Sequence, residues 1–151
     1  MSATVDNSVR IGPMELKFFG SGLPGDCLVA FEITLQPGMG GPEPHYHREV
    51  DEFVYGLEGT FTYSVDGQVT AVKPGVGAFS PRGSVHRFSN DDPSAIARAL
   101  IVLGPGSIGK PFFSEVADVV RGGGPPDFAK VREIMLQHGL VPVPEPSPAT
   151  S

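Results

Sequence analysis

The strongest constraint on this chain is an alternation of apolar and polar residues in short runs cut by glycine and proline. Asp26–Gln36, DCLVAFEITLQ, shows it most clearly. Cys27, Val29, Phe31, Ile33 and Leu35 share one parity, and Glu32, Thr34 and Gln36 share the other. A period of two is the pattern of a strand with one buried face. Cys27 falls on the apolar side and reads as a packed core thiol rather than a nucleophile, since no reactive-cysteine surroundings are visible. Thr60–Lys73 alternates on either side of Asp66-Gly67, the dipeptide expected at a two-residue hairpin turn. Val76–Ser80, Val85–Phe88 and Ala95–Leu103 read as further strands. The last is apolar at nearly every position, so it is expected to be covered on both faces. Val9–Phe19 gives one or two short strands with a break at Gly12-Pro13, and Gly20–Gly25 gives a turn. With 20 glycines and 16 prolines in 151 residues, the chain suits many short elements joined by tight turns. The expected class is all-β, an antiparallel sandwich or barrel.

From Gly104 the character changes. GPGSIGKPFF reads as a loop and a hydrophobic docking point, and Ser114–Arg121 has apolar residues at Val116, Val119 and Val120, a helical spacing that stops at Gly122-Gly123-Gly124. A second helix starts after Pro125-Pro126, with Asp127 as N-cap, a stripe of Phe128, Val131, Ile134 and Met135, and Gly139 as its stop. His138 lies in the last turn, where a cation near the carbonyl end is the expected role. The sequence divides into an arm (1–8), a single domain (9–140) with a helical extension (112–139), and a proline-rich tail (141–151) that should be extended or disordered.

The net charge of −6 argues against a nucleic-acid partner, which needs clustered Lys and Arg. No apolar run approaches the roughly 20 residues of a membrane span. The amino-terminal residues lack the layout of a secretion signal, and the single cysteine cannot form an internal disulfide. Together these favour the cytoplasm.

The chemistry concentrates in Gly38–Gly59, GMGGPEPHYHREVDEFVYGLEG. His45 and His47 are one residue apart, so on an extended segment both rings project from one face. Glu52 follows five residues after His47, and His86 lies far along the chain in PRGSVHRFSN. Taken singly, each of these suits a surface or hydrogen-bonded role. Three imidazoles and a carboxylate together suit one divalent transition metal: Fe, Mn, Co, Ni, Cu or Zn.

These residues match a family. The chain resembles the cupins, small double-sheet jelly rolls. Their first motif, G-x5-H-x-H-x(3,4)-E-x6-G, fits His45, His47, Glu52 and Gly59 within residues 38–59, with Gly38 or Gly40 one position from the leading glycine. Their second, G-x5-P-x-G-x2-H-x3-N, fits Gly75, Pro81, Gly83, His86 and Asn90. The resemblance implies a double-stranded β-helix with two short C-terminal helices packed outside, and His45, His47, Glu52 and His86 as metal ligands. Asp51 and Glu49 match the spacing less well and are expected to face solvent. Asn90 reads as a turn former.

PHYHREVDEFVYGLEG with FSPRGSVHRFSN is similar to small quercetinase-like cupins, and GPGSIGKPFFSEV and GGGPPDFAKV to the segments that follow in them. That likeness implies an oxidoreductase, a metal-dependent dioxygenase acting on a small aromatic or enolisable substrate, with Glu52 as ligand and base. Phe31, Phe61, Tyr63, Phe79 and Phe88 are candidate pocket walls. The alternatives are a non-redox decarboxylase, isomerase or lyase, and a non-enzymatic metal- or ligand-binding cupin. The resemblance also suggests a homodimer through an edge strand, for which Glu15–Phe19 is the candidate.

Overall fold

The structure, a computed structural model, describes residues 7–20, 27–122 and 124–144. Most of the expected arm, turn and tail (1–6, 21–26 and 145–151) lies outside these residues. The strands are β1 (Ser8–Ile11), β2 (Met14–Phe19), β3 (Val29–Leu35), β4 (His45–His47), β5 (Asp51–Glu58), β6 (Phe61–Val65), β7 (Gln68–Val72), β8 (Gly77–Ser80), β9 (His86–Ser89), β10 (Ala97–Gly104) and β11 (Leu140–Pro142). Two helices, α1 (Lys110–Val120) and α2 (Phe128–Gln137), stand between β10 and β11.

The strands form two antiparallel sheets, ordered β1-β2-β3-β10-β5-β8 and β11-β4-β9-β6-β7. Each buries one parity of its strands. Val29, Phe31, Ile33 and Leu35 of β3 face inward with Ala97, Ala99, Ile101 and Leu103 of β10, and meet Phe61, Tyr63 and Val72 of the second sheet. This is the jelly-roll architecture, in which two packed sheets share one core.

Local chemistry sets the turns. Asp66 and Gly67 both have positive φ, 48° and 83°, as a primed two-residue turn requires. The Asp66 carboxylate accepts from the Val85 amide at 2.9 Å, which ties the hairpin to the entry of β9. Gly59 has φ 64°, and a Cβ there would lie 2.2 Å from the Ile96 carbonyl oxygen. Only glycine fits where motif one ends. Asp127 caps α2 by accepting from the Lys130 amide, and Gly139 ends it at φ 85°.

Several expectations are corrected. Cys27 is exposed, because β3 begins at Val29 and the alternation outruns the strand. β10 is buried on one face and half-buried on the other, so its apolar run is not covered on both sides. Glu15–Phe19 is no edge: β1 pairs with β2 and takes that place. α1 starts at Lys110, with Pro111 in its first turn, where proline is favoured. Phe128 is 62 % exposed and does not join the buried stripe of Ile134 and Met135. Residues 141 and 142 of the expected tail join Leu140 in β11, which extends the second sheet beside β4. Among the described residues, no helix is long and apolar enough to cross a membrane.

Candidate metal centre and its cavity

Antiparallel pairing of β4 with β9 sets His45 directly opposite His86, and His47 projects from the same inner face two residues on. The three rings cluster, with centroids 4.5 Å apart for His45 and His86, 4.6 Å for His47 and His86, and 5.3 Å for His45 and His47. One ring nitrogen from each lies within 4.8 Å of the others, and all three residues are buried.

Hydrogen bonds orient the rings. Nδ1 of His45 is 2.8 Å from the Glu43 carbonyl oxygen, which fixes the N–H there and leaves Nε2 a lone pair. Nδ1 of His86 faces the Ser84 carbonyl at 3.3 Å and Ser80 Oγ at 3.2 Å. Nε2 of His86 and Nδ1 of His47 are buried with no hydrogen-bond partner. Buried ring nitrogens are normally satisfied, so orphaned ones in a cluster of imidazoles fit metal donors.

Glu52 reaches the cluster from β5 of the other sheet. Its Oε2 lies 3.2 Å from His86 Nε2 and accepts a hydrogen bond from Tyr63 Oη of β6. Tyr63 was a candidate pocket wall; it is buried and acts instead as the partner of Glu52 across the two sheets. Asp51 sits at the surface, where both of its oxygens accept from Arg82, and Glu49 is exposed.

Burial governs the protonation states. Desolvation, then the neighbouring His86, lowers His45 to about 4. His47 falls to about 2 through burial, His86 and His45, and burial lowers His86 to about 4. Near neutral pH all three are therefore uncharged, the form that binds metal. Burial raises Glu52, against the lowering effect of the Tyr63 hydrogen bond. Burial and the Glu52 carboxylate raise Tyr63, which keeps it a donor. The three histidines are positioned to hold a metal ion, and Glu52 stands beside them.

A cavity of about 670 Å3 adjoins this cluster, with His45, His47 and Glu52 in its wall. Most of the rest is apolar, including Met14, Ile33, Phe112, Val116 and Met135. Arg87 is the one cationic side chain among its described lining residues.

The cupin domain family matches residues 31–103, which span both motifs. The chain is a member of the cupin superfamily. TT1209 from Thermus thermophilus is similar at 29 % identity and TM-score 0.55, over 64 % of this chain and 90 % of that one. A sugar phosphate isomerase from Silicibacter pomeroyi, itself of a cupin superfamily, has 29 % identity and TM-score 0.54, over 60 % of this chain and 59 % of that one. KdgF from a Halomonas species shares the fold at 21 % identity and TM-score 0.56, covering 65 % and 84 %. No curated protein matches the sequence.

In this cupin, the aromatic residues proposed as pocket walls divide. Phe31 and Phe88 line the cavity. Phe61 is core and stacks on Phe88 at 5.1 Å. Phe79 points out of the barrel from β8, because the inward places of that strand go to Ala78 and Ser80. The walls not anticipated come from the flanks: Met14 and Leu16 of β2, and Phe112, Phe113 and Val116 of α1. A helical stripe whose buried face looks into a barrel reads, in sequence, like one that packs on a barrel. Asn90 is a staple: its amide donates to the carbonyls of Leu35, Gln36 and Ala95, and its Oδ1 accepts from the Asp92 amide. His138 caps α2 and meets Glu115 of α1 at 2.8 Å.

Proposed function

We propose that this cupin is a metal-dependent dioxygenase of quercetinase type, acting on a small, largely apolar aromatic or enolisable substrate. The observation that carries the reading is the neutral three-histidine cluster opening onto an apolar cavity. When bound, a redox-active divalent metal would supply electron transfer between substrate and O2. His45, His47 and His86 would hold it, and Glu52 would join them as fourth ligand. Phe31, Phe88, Phe112 and Ile33 orient a flat substrate and keep bulk water away. Glu52, raised by burial, takes the substrate's enol proton on a carboxylate oxygen, and Tyr63 holds that carboxylate in place. The single cysteine, exposed and unbridged, supports a cytoplasmic placement.

An isomerase reading draws on the similarity to the sugar phosphate isomerase. The cavity favours it less. A phosphate dianion is best held by several charge-assisted donors, and Arg87 is the only cationic side chain among the described lining residues.

The test is protein loaded in turn with Fe, Mn, Co, Ni, Cu and Zn, offered flavonols, β-diketones and sugar phosphates. Oxygen uptake with the enolisable compounds and a redox metal is expected. Isomerisation of a sugar phosphate without oxygen uptake would overturn the proposal in favour of the alternative.

A further inference from the structure

The cavity beside the histidines is divided by polarity. Its described polar lining residues are Glu43, His45, His47, Glu52 and Arg87, all from β4, β5, β9 and the loop before β4. Among the described lining residues, those from β1, β2, β3, β10, α1 and α2 include no polar side chain. The ladder registers show how this apolar part is laid out. Glu52 pairs with Leu103, Ile101 with Phe31, Ile33 with Leu16, and Met14 with Ile11. All eight residues line the cavity. Each successive pair lies one strand over and two residues along, so the floor is a diagonal trough from β5 to β1. Four strand spacings of about 4.8 Å and six residues of about 3.4 Å make a path of roughly 28 Å on the sheet surface. α1 covers the trough. Its Phe113 ring lies 5.1 Å from that of Phe31, and Phe112, Val116 and Val120 recur every four residues on one helix face and line the same cavity.

We propose that the substrate is an amphiphile, with an enolisable head at the histidines and an unbranched hydrocarbon tail lying in this trough toward Met14 and Ile11. The inference rests on the enol-binding reading above and extends it to the rest of the bound molecule. A tail needs no hydrogen bonds, and the side chains of the trough offer none. A hydroxyl or carboxylate carried there would lose its water without gaining a partner. A ring system hydroxylated at both ends is therefore disfavoured, whereas hydrocarbon gains by leaving water.

Shape points to a chain rather than a second ring system, because about 670 Å3 spread along such a path leaves a narrow channel. The wall is also adaptable. Met14, Met39 and Met135, every methionine after the first residue, line it. Unbranched thioether side chains reshape readily around a flexible occupant. The lining reaches solvent at Gly40 and Pro42 and at Pro126 and Phe128, all exposed, which gives a tailed compound a way in.

Calorimetry with a series of β-diketones tests this, each with one methyl end and one propyl, pentyl, heptyl or nonyl end. Metal-free and Zn-loaded protein are both titrated, since zinc has no redox chemistry and the bound compound is not consumed. One compound should bind per chain, and each added methylene should tighten binding about two- to fourfold in both forms. A terminal hydroxyl on the nonyl chain should weaken it about tenfold. Val120 lies at the β1 end, its Cγ1 3.8 Å from where a Cβ on Gly12 would stand. Val120→Trp should leave the propyl compound unchanged and weaken the nonyl compound about tenfold. Circular dichroism and melting check that the variant folds; should it misfold, the wild-type series with the hydroxylated chain decides. Affinity that does not rise with chain length, uptake of several compounds per chain, a terminal hydroxyl without effect, or a folded Val120→Trp that keeps wild-type affinity for the nonyl compound would each overturn the proposal. Oxygen uptake with a redox metal bears on the reaction alone. A steep series without uptake removes the dioxygenase and keeps the tailed substrate, and uptake with a flat series does the reverse.

Discussion

Tyr63→Phe tests how the acid group is held. The substitution removes one hydroxyl and leaves the ring in the core. In the metal-free protein the Glu52 carboxylate loses its donor, and only His86 Nε2 remains near Oε2, at 3.2 Å. A hydrogen bond to a charged group contributes about 1.5–3 kcal/mol. In a domain of this size, 1 kcal/mol moves the melting temperature by about 2–4 °C. The metal-free variant should therefore melt roughly 4–10 °C below wild type. With a metal such as Ni or Zn bound, the outcome depends on whether Oε2 joins the ligands. If it does, the ion replaces Tyr63 as the partner of that oxygen, and the deficit should shrink to about 3 °C or less. Scanning calorimetry of both proteins, stripped and loaded, gives the four values needed. An equal or larger deficit in the loaded pair would refute Glu52 as a ligand and leave a three-histidine centre. A metal-free deficit under about 1 °C would refute the Tyr63–Glu52 bond itself.

Other outcomes are equally open to measurement. Asn90→Ala strands three carbonyls and one amide, so it should cost about 3 kcal/mol and lower the melting point by about 6–12 °C while metal content stays at wild-type level; metal loss without destabilisation would make Asn90 a site residue. His86→Ala should reduce bound metal from about one per chain to near zero by elemental analysis, since His86 alone comes from the second motif. The stability of metal-free protein should fall with acid. The unfolded chain binds protons from about pH 6.5 downward, whereas folded His45 and His86 wait until about 4 and His47 until about 2. Stability is thus full above about pH 6.5 and declines below it, by up to about 1.4 kcal/mol per pH unit for each histidine. Glu52, raised by burial, has the opposite sign, because its protonation favours the folded state and offsets part of the loss. A urea midpoint unchanged between pH 7 and 4.5 would contradict the desolvation account.

What the sequence revealed follows the reach of local rules. The alternation in Val29–Leu35 and the Asp66-Gly67 turn are decided by neighbours along the chain, and both appear where expected. The histidine cluster was legible because His45 and His47 share a parity and the second motif supplies the third ring. Parity cannot say where a strand stops being covered, so Cys27 was misplaced on the core side. Nor can it choose between faces in a four-residue strand: in β8, Ala78 and Ser80 took the inside because Ser80 pairs with Glu52, and the larger Phe79 was turned outward. The cavity walls on β2 and α1 depend on contacts remote in sequence. β11 was hidden by Pro142, which cannot donate in a ladder yet is tolerated at a sheet margin.

That last strand has a consequence for biogenesis. β11 sets Leu140 against His47 and Pro142 against His45, and the Val143 amide donates to the Pro44 carbonyl at 2.8 Å. The strand that carries two of the imidazoles is thus flanked on one side by a segment translated roughly ninety residues later. A nascent chain would display both motifs before it has this flank, so ion capture in the cell should follow synthesis of residues 140–142.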